Sequence, residues 1–330
     1  MSHSTTNYLW IDKIKIKAAN AISSPITYGF PAVNGFLGAI HALSRKIPRD
    51  QYSEQIYLDG VLIAHHESRL HASRSNSYRE YTFNQQRLPA LKTGRPPAII
   101  EEGRIDLTVS LVVEVKSDGW GFEGEEEKQR FTDWVKNQLM QQRIASGSVM
   151  SIGNVALFEV TESSLLIPQL LPAYVLLTAE QDFKEITEIL QDKNPESTGI
   201  DTLLEMSKLH FIPHEKATED DEKMIDESDK KSRQVAHWEW EVSSFKKGRG
   251  WLIPLCVGYQ AIFPQFSKGI MKEARFETYP VSYVEPIYSL GKWVFPYRLD
   301  QDSFSNAFWR YKNVEKDDEL GLYQVIQTRP

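Results

Sequence analysis

The sequence predicts an α+β protein whose N-terminal half runs strand, helix, strand, strand, helix, strand. Two periodicities and one gap carry that prediction. Apolar residues alternate with polar ones over 9–18, 56–64, 105–115 and 155–160, as in half-buried strands. They recur at three- and four-residue spacing over 33–43 and 125–144, as on helices. The gap is 65–104, a long stretch with little apolar period between the second and third strands. The order βαββαβ is the ferredoxin-like or RRM-like arrangement.

Each element has its own signal. In the first strand Leu9, Ile11, Ile14, Ile16 and Ala18 mix with Asp12, Lys13, Lys15 and Lys17, and the alternation slips at Asp12–Lys13, which predicts a bulge. The first helix shows Val33, Phe36, Leu37, Ile40 and Leu43 on one face, with Pro31 near its first turn. Gly35 and Gly38 weaken it, so both are expected to pack closely on another backbone. The second helix carries Glu125, Glu126 and Glu127 in its first turn, favourable to the helix dipole, and Gly147 is placed to stop it.

Charge is informative by its distribution. The 38 basic and 45 acidic side chains give −7, so a non-specific nucleic-acid binder of the whole-surface kind is not expected. Yet residues 68–99 hold Arg69, Arg74, Arg79, Arg87, Lys92 and Arg95 against the single acid Glu80. Tyr78, Tyr81 and Phe83 stand among these cations, a combination suited to backbone charge and base stacking. The plainer alternative is a solvated surface hairpin. Residues 214–233 are the opposite, acidic and poor in apolar side chains, and are expected to be a disordered loop.

Residues 163–330 are less legible. Residues 170–177 read as a buried strand, and 182–190 and 202–209 as helices. From Trp238 onward aromatics, Pro and Gly are dense, which predicts short strands and loops, with the aromatics in core or interface. The composition, 41% hydrophobic and 25% charged, is that of one or two globular domains. No run approaches the roughly 20 apolar residues of a membrane-spanning helix, and 1–7 is polar, so a cytoplasmic protein without a membrane role is expected.

Catalytic and cofactor signals are weak. Cys256 is the one cysteine, which excludes an internal disulfide and a multi-cysteine zinc site; its apolar neighbours predict a buried, inert thiol. His65 and His66 are adjacent on a strand, point to opposite faces and do not share a metal easily, Glu67 notwithstanding. His41, beside the apolar stripe of the first helix, reads as a packed histidine. The G-x-G at Gly119–Gly121 lacks the third glycine of a dinucleotide site. No metal or cofactor is expected.

The stretch from Ala18 to Pro31, followed by Gly35-Phe-Leu-Gly-Ala-Ile-His-Ala-Leu43, resembles the N-terminal signature of the family of the second Csy protein. Further matches in family order are Phe83-Asn84 with Ala98–Arg104, Arg143-Ile-Ala-Ser-Gly-Ser148, Gly250–Pro254 with Gly258-Tyr259, and Gly321-Leu-Tyr323. The resemblance implies an RRM-like body of the RAMP type (1–64 and 105–162) with a basic thumb (65–104) and a C-terminal region (163–330). It implies a Cas-five-type, non-catalytic subunit of a type I-F CRISPR surveillance complex. Its partners would be the five-prime handle of CRISPR RNA, the large Csy subunit and an adjacent backbone subunit, with target DNA met only indirectly.

On that reading Arg69, Arg74, Arg79, Arg87, Lys92 and Arg95 contact RNA or, alternatively, acidic groups on the neighbouring subunit. Asn20, Ser23, Ser24 and Tyr28 bind a handle nucleotide or serve turn chemistry. Tyr78, Tyr81 and Phe83 offer stacking faces. Arg104, after Glu101 and Glu102, reads as an intrachain ion pair. The competing function is an RNA-processing nuclease on the same fold, for which His41, His65, His66 and His71 with Tyr78 or Lys92 are the available parts.

Overall fold

The computed structural model describes residues 4–48, 50–52, 55–87, 89–90, 93–119, 121–215, 238–299, 301–312 and 322–327. Lys92 and 216–233, the greater part of the expected acidic loop, lie outside them. The chain forms two compact units, residues 1–179 with 253–330, and residues 180–252.

The first unit is a mixed α+β structure dominated by one large antiparallel sheet. Its early elements are β1 (Ser4–Asn20), β2 (Ile22–Ser24), β3 (Thr27–Tyr28), α1 (Val33–Ser44), β4 (Ile56–Leu70), β5 (Ala72–Ser73), β6 (Thr82–Arg87), β7 (Ile99–Glu102) and β8 (Arg104–Ser117). Then come α2 (Gly124–Met140), β9 (Arg143–Ile144), β10 (Gly147–Ser151), β11 (Val155–Glu159), α3 (Ser163–Gln169) and β12 (Tyr174–Thr178). β1 pairs with β8 on one side and with β10 and β11 on the other, and β4 pairs with the far edge of β8.

Phase along β1 explains how it serves two cores. Leu9 and Ile11 join the core beneath α1 and α2, whereas Tyr8 and Trp10 join the second core on the opposite face. The register shifts between Ile11 and Ile14, with Lys13 at φ 41°, and inward residues become Ile14 and Ile16. A second shift at Ala18, φ 54°, returns Ala19 and Ala21 to that core. The expected bulge is therefore present and is one of three register shifts of β1 against β8, another lying between Thr5 and Asn7. Because both faces of the sheet are covered, residues 109–115 of β8 are buried without a break.

Gly35 behaves as its sequence context predicts. A Cβ there would lie 2.9 Å from the Ala145 Cα, so α1 rests directly on the loop after β9. Gly38 differs: among the described residues nothing stands within 4 Å of its Cβ position. α2 ends at Met140, well before Gly147, which instead opens β10 at a close approach to Ala19. β4 continues past Ala64 to Leu70, so strand replaces the first part of the expected insertion.

In the second unit, α4 (Glu180–Lys193) and α5 (Gly199–Ser207) pack as a helical pair around Ile186, Leu203 and Met206. Thr198 caps α5 in a reciprocal box with Asp201. Arg249 pairs with Asp182 at 3.1 Å and Glu185 at 2.6 Å. β13 (His210–Glu215) and β14 (Trp238–Ser243) form a separate two-stranded ribbon, so residues 214 and 215 are strand.

The remaining strands return to the first unit. β15 (Trp251–Ala261) and β16 (Val284–Val294) are 11 residues each, longer than the aromatic- and Pro-rich sequence predicts. They precede α6 (Gln301–Asn306), β17 (Arg310–Tyr311) and β18 (Leu322–Ile326). The sheet order is β17-β18-β15-β16-β12-β4-β8-β1-β10-β9. The far end curls back, for Trp309 and Val61 exchange two backbone hydrogen bonds of 2.9 Å.

The curl is held by a buried ion pair. Arg310 Nε donates to Glu114 Oε2 at 2.7 Å and Nη2 to Oε1 at 2.8 Å, while the Phe308 and Ser305 carbonyls accept from the same guanidinium at 3.1 Å. Their side chains are 7% and 3% exposed. Gly60 leaves the room: a Cβ there would stand 2.3 Å from Glu114 Oε2.

Arg310→Met strands Glu114 as a buried, unpaired charge and is expected to destabilise by about 3–5 kcal/mol. Adding Glu114→Leu should recover most of that loss. Denaturant midpoints of the two variants measure it, and a single variant as stable as the parent would refute the assignment.

Candidate functional site

Beneath the insertion lies a polar groove of about 390 Å³. It is lined by Lys17 and Ala18 of β1, His71, Asn84 and Gln86 of β6, Glu102 of β7, Arg104 of β8, and Arg143, Ser146 and Ser148 of the β9–β10 hairpin. Local backbone chemistry brings these segments together. The Asp106 carboxylate accepts from the Ala18 amide at 2.9 Å, which fixes the bulge of β1 at Ala18. Its other oxygen meets His71 Nε2 at 3.1 Å. Burial pushes the Asp106 carboxyl upward, but the Ala18 amide, His71 and Lys17 together bring it below its ordinary range.

Two of the positive-φ non-glycine residues, Ala18 and Ser146 (φ 54° and 67°), line this groove. Such backbone strain concentrates at functional sites. Arg104 donates to Glu102 at 3.3 Å, the expected intrachain pair, and also reaches the Ala18 carbonyl at 3.4 Å. Arg143 is exposed and has no ion-pair partner among the described residues. The groove therefore offers cations, amides and hydroxyls, which suit an anionic, hydrogen-bonding ligand.

Above it, β5, β6 and β7 form a small three-stranded sheet. Arg74 stacks its guanidinium over the Tyr81 ring at 4.9 Å. Tyr78, 97% exposed, presents a free ring face. Phe83 meets Tyr28 edge-on at 5.4 Å, so the β2–β3 turn and the insertion share one aromatic surface. Arg79, Arg87 and Arg95 are exposed on the insertion, and Arg69 sits on β4 opposite Asp106 of β8.

The remaining candidates are engaged elsewhere. The Ser23 and Ser24 hydroxyls are buried and lie 2.7 Å and 2.6 Å from Thr27 Oγ1, which is the turn-chemistry alternative. Asn20 closes its amide on Ile22. Outward, that segment presents Tyr28. Lys17, Asn84, Gln86, Arg143, Ser146 and Ser148 escaped sequence reasoning as site residues, and His71 entered it only as a part of the competing nuclease. The signal for Arg143–Ser148 was a cation leading into small residues that tolerate a tight turn.

The histidines are dispersed. His41, expected to be packed, is exposed, with its ring 6.1 Å from Tyr311. His66 bridges the Pro172 carbonyl and the Ser110 hydroxyl, each at 2.7 Å. His65 packs between Phe30 and Trp293, and its Nε2 has no hydrogen-bond partner among the described residues. Among the described residues no group of three or more His, Cys, Asp or Glu is arranged to hold a metal ion, and no helix is long and apolar enough to cross a membrane. Cys256 is fully buried, its thiol pushed up by burial.

Fold and groove together define an α+β protein that presents cations and amides on one face. Residues 9–325 match the family described as CRISPR-associated protein (Cas_Csy2). The chain is 31% identical to CRISPR-associated protein Csy2 of Pseudomonas aeruginosa (strain UCBPP-PA14), over 97% of this chain and 95% of that protein. This chain belongs to the Csy2 family and is a subunit of the type I-F CRISPR defence complex.

Burial pushes the His65 ring below its ordinary pKa, and the neighbouring His66 adds to the effect. A base held neutral in the fold contributes fully above its unfolded value of about 6.5 and loses that contribution as pH falls below it. Melting temperature should therefore drop between pH 7 and 5.5, and less steeply in His65→Phe. Equal slopes for the two proteins would refute this assignment.

Proposed function

We propose that this chain is a non-catalytic subunit that binds the five-prime handle of CRISPR RNA together with the large subunit, beside an adjacent backbone subunit. One observation carries the reading. The segments 18–31, 83–84, 98–104 and 143–148, which carry the family resemblance, converge on the cationic groove and the surface above it. A groove for phosphate and sugar, flanked by exposed Tyr78, Tyr81 and Tyr28, suits a single strand whose bases are splayed and stacked.

The body is proposed to be RRM-like. In support, the order β11-β1-β8-β4, with α1 after β1 and α2 after β8, follows the antiparallel βαββαβ pattern. Residues 71–103, standing between β4 and β8, are then the thumb. In support of the non-catalytic reading, His41, His65 and His66 are engaged away from the groove, so the histidines available to the nuclease alternative are not gathered at one place.

The test uses the chain assembled with the large subunit. Removing Arg74, Arg79 and Arg87 together should flatten the salt dependence of handle-RNA binding by about 2 log–log units, given roughly −0.7 per single-strand phosphate. Protein–protein affinity without RNA should stay unchanged. An unchanged RNA slope with weakened subunit pairing would instead make these arginines protein contacts. Specific cleavage of unprocessed repeat RNA, lost on His71→Ala, would make the protein a nuclease.

A further inference from the structure

The β13–β14 ribbon carries two dissimilar faces. Its register pairs Phe211 with Val242 and Pro213 with Trp240 on one side, the side that Trp238 shares with Trp240. On the other side His210 faces Ser243, Ile212 faces Glu241 and His214 faces Glu239. His214 and Lys247 approach Glu241 at 3.2 and 3.7 Å, so that side is a solvated charge network. The first side is apolar and open: Phe211, Trp238 and Trp240 are 61%, 56% and 63% exposed. A two-stranded ribbon is only marginally stable in water, and this one holds its largest rings outward.

Charge selects what covers it. Residues 180–252 contain 18 acidic and 11 basic side chains, which equals the −7 of the whole chain. A nucleic-acid strand approaching two exposed tryptophans there would meet a negative field. A protein surface with an apolar centre and a basic rim fits both features, and tryptophan is the residue that most often anchors such contacts.

We propose that the Trp238–Trp240–Phe211 face of this ribbon docks on a basic-rimmed apolar surface of another protein subunit of the complex. The proposal rests on the chain's place in that complex but not on RNA binding. The test co-expresses the full chain with the remaining subunits and measures its affinity for them, with and without RNA. Trp240→Ser should lower that affinity about ten-fold or more, and Trp238→Ser with Trp240→Ser further. Trp240→Tyr, which keeps a flat amphipathic ring, should hold it within about three-fold. Far-ultraviolet circular dichroism and the melting temperature of each free variant should match the parent.

Subunit affinity unchanged in the double variant overturns the proposal. Loss of RNA affinity by the isolated chain, with subunit affinity intact, overturns it in favour of a base-stacking platform. Should the parent chain not join the complex at all, the complex-subunit reading fails as well. Loss of RNA affinity in the arginine variants of the insertion alone leaves the docking face standing.

Discussion

Two charges taken out of water decide how the large sheet closes. Glu114 lies near the C-terminal end of β8, a strand paired on both sides, and Arg310 arrives from far along the chain. Neither tolerates burial alone, so the strand bearing Arg310 has one acceptable position. Gly60 opposite them fixes β4 in the same place, because any side chain there would collide with the carboxylate. Trp309, next in sequence, then finds Val61 for a backbone pair and the Leu176 carbonyl for its indole at 3.1 Å. Gln327 adds bonds of 2.9 Å to the Leu176 and Ala307 carbonyls. The C-terminal strands are thereby part of the same body as the N-terminal ones.

Local patterns were readable wherever a residue's neighbours in sequence determine its environment. The phase slip at Asp12–Lys13, the stripe from Val33 to Leu43 and the alternation along β8 each report which residues of one element face the core beneath α1 and α2. β4 beyond Ala64 was not readable, because His65–Leu70 is polar and owes its strand conformation to pairing with β8 and β12. The length of β15 and β16 was hidden for a related reason. Their apolar residues meet partners on β12 and β18 rather than a periodic face of their own.

The candidate site divides the same way. The basic, aromatic insertion announces itself by composition, and its exposed Arg and Tyr side chains are displayed as such. The groove below does not, since Lys17, His71 and Arg143 stand far apart in sequence and are assembled by Asp106 and by positive-φ turns at Ala18 and Ser146. Ser23 and Ser24 illustrate the converse. Hydroxyl side chains after a strand suit ligand binding and turn closure equally, and only the three-dimensional position of Thr27 separates the two uses.

The single buried thiol has a practical consequence. Cys256 lies within β15, shielded from solvent and directed at the Gly258 carbonyl, where a thiolate is disfavoured. The chain consequently comes with a silent background for maleimide chemistry under native conditions. A cysteine installed at the exposed Tyr78 position becomes the one reactive handle on the molecule, and a fluorophore attached there reports the environment of the β5–β6 connection without replacing Cys256 first.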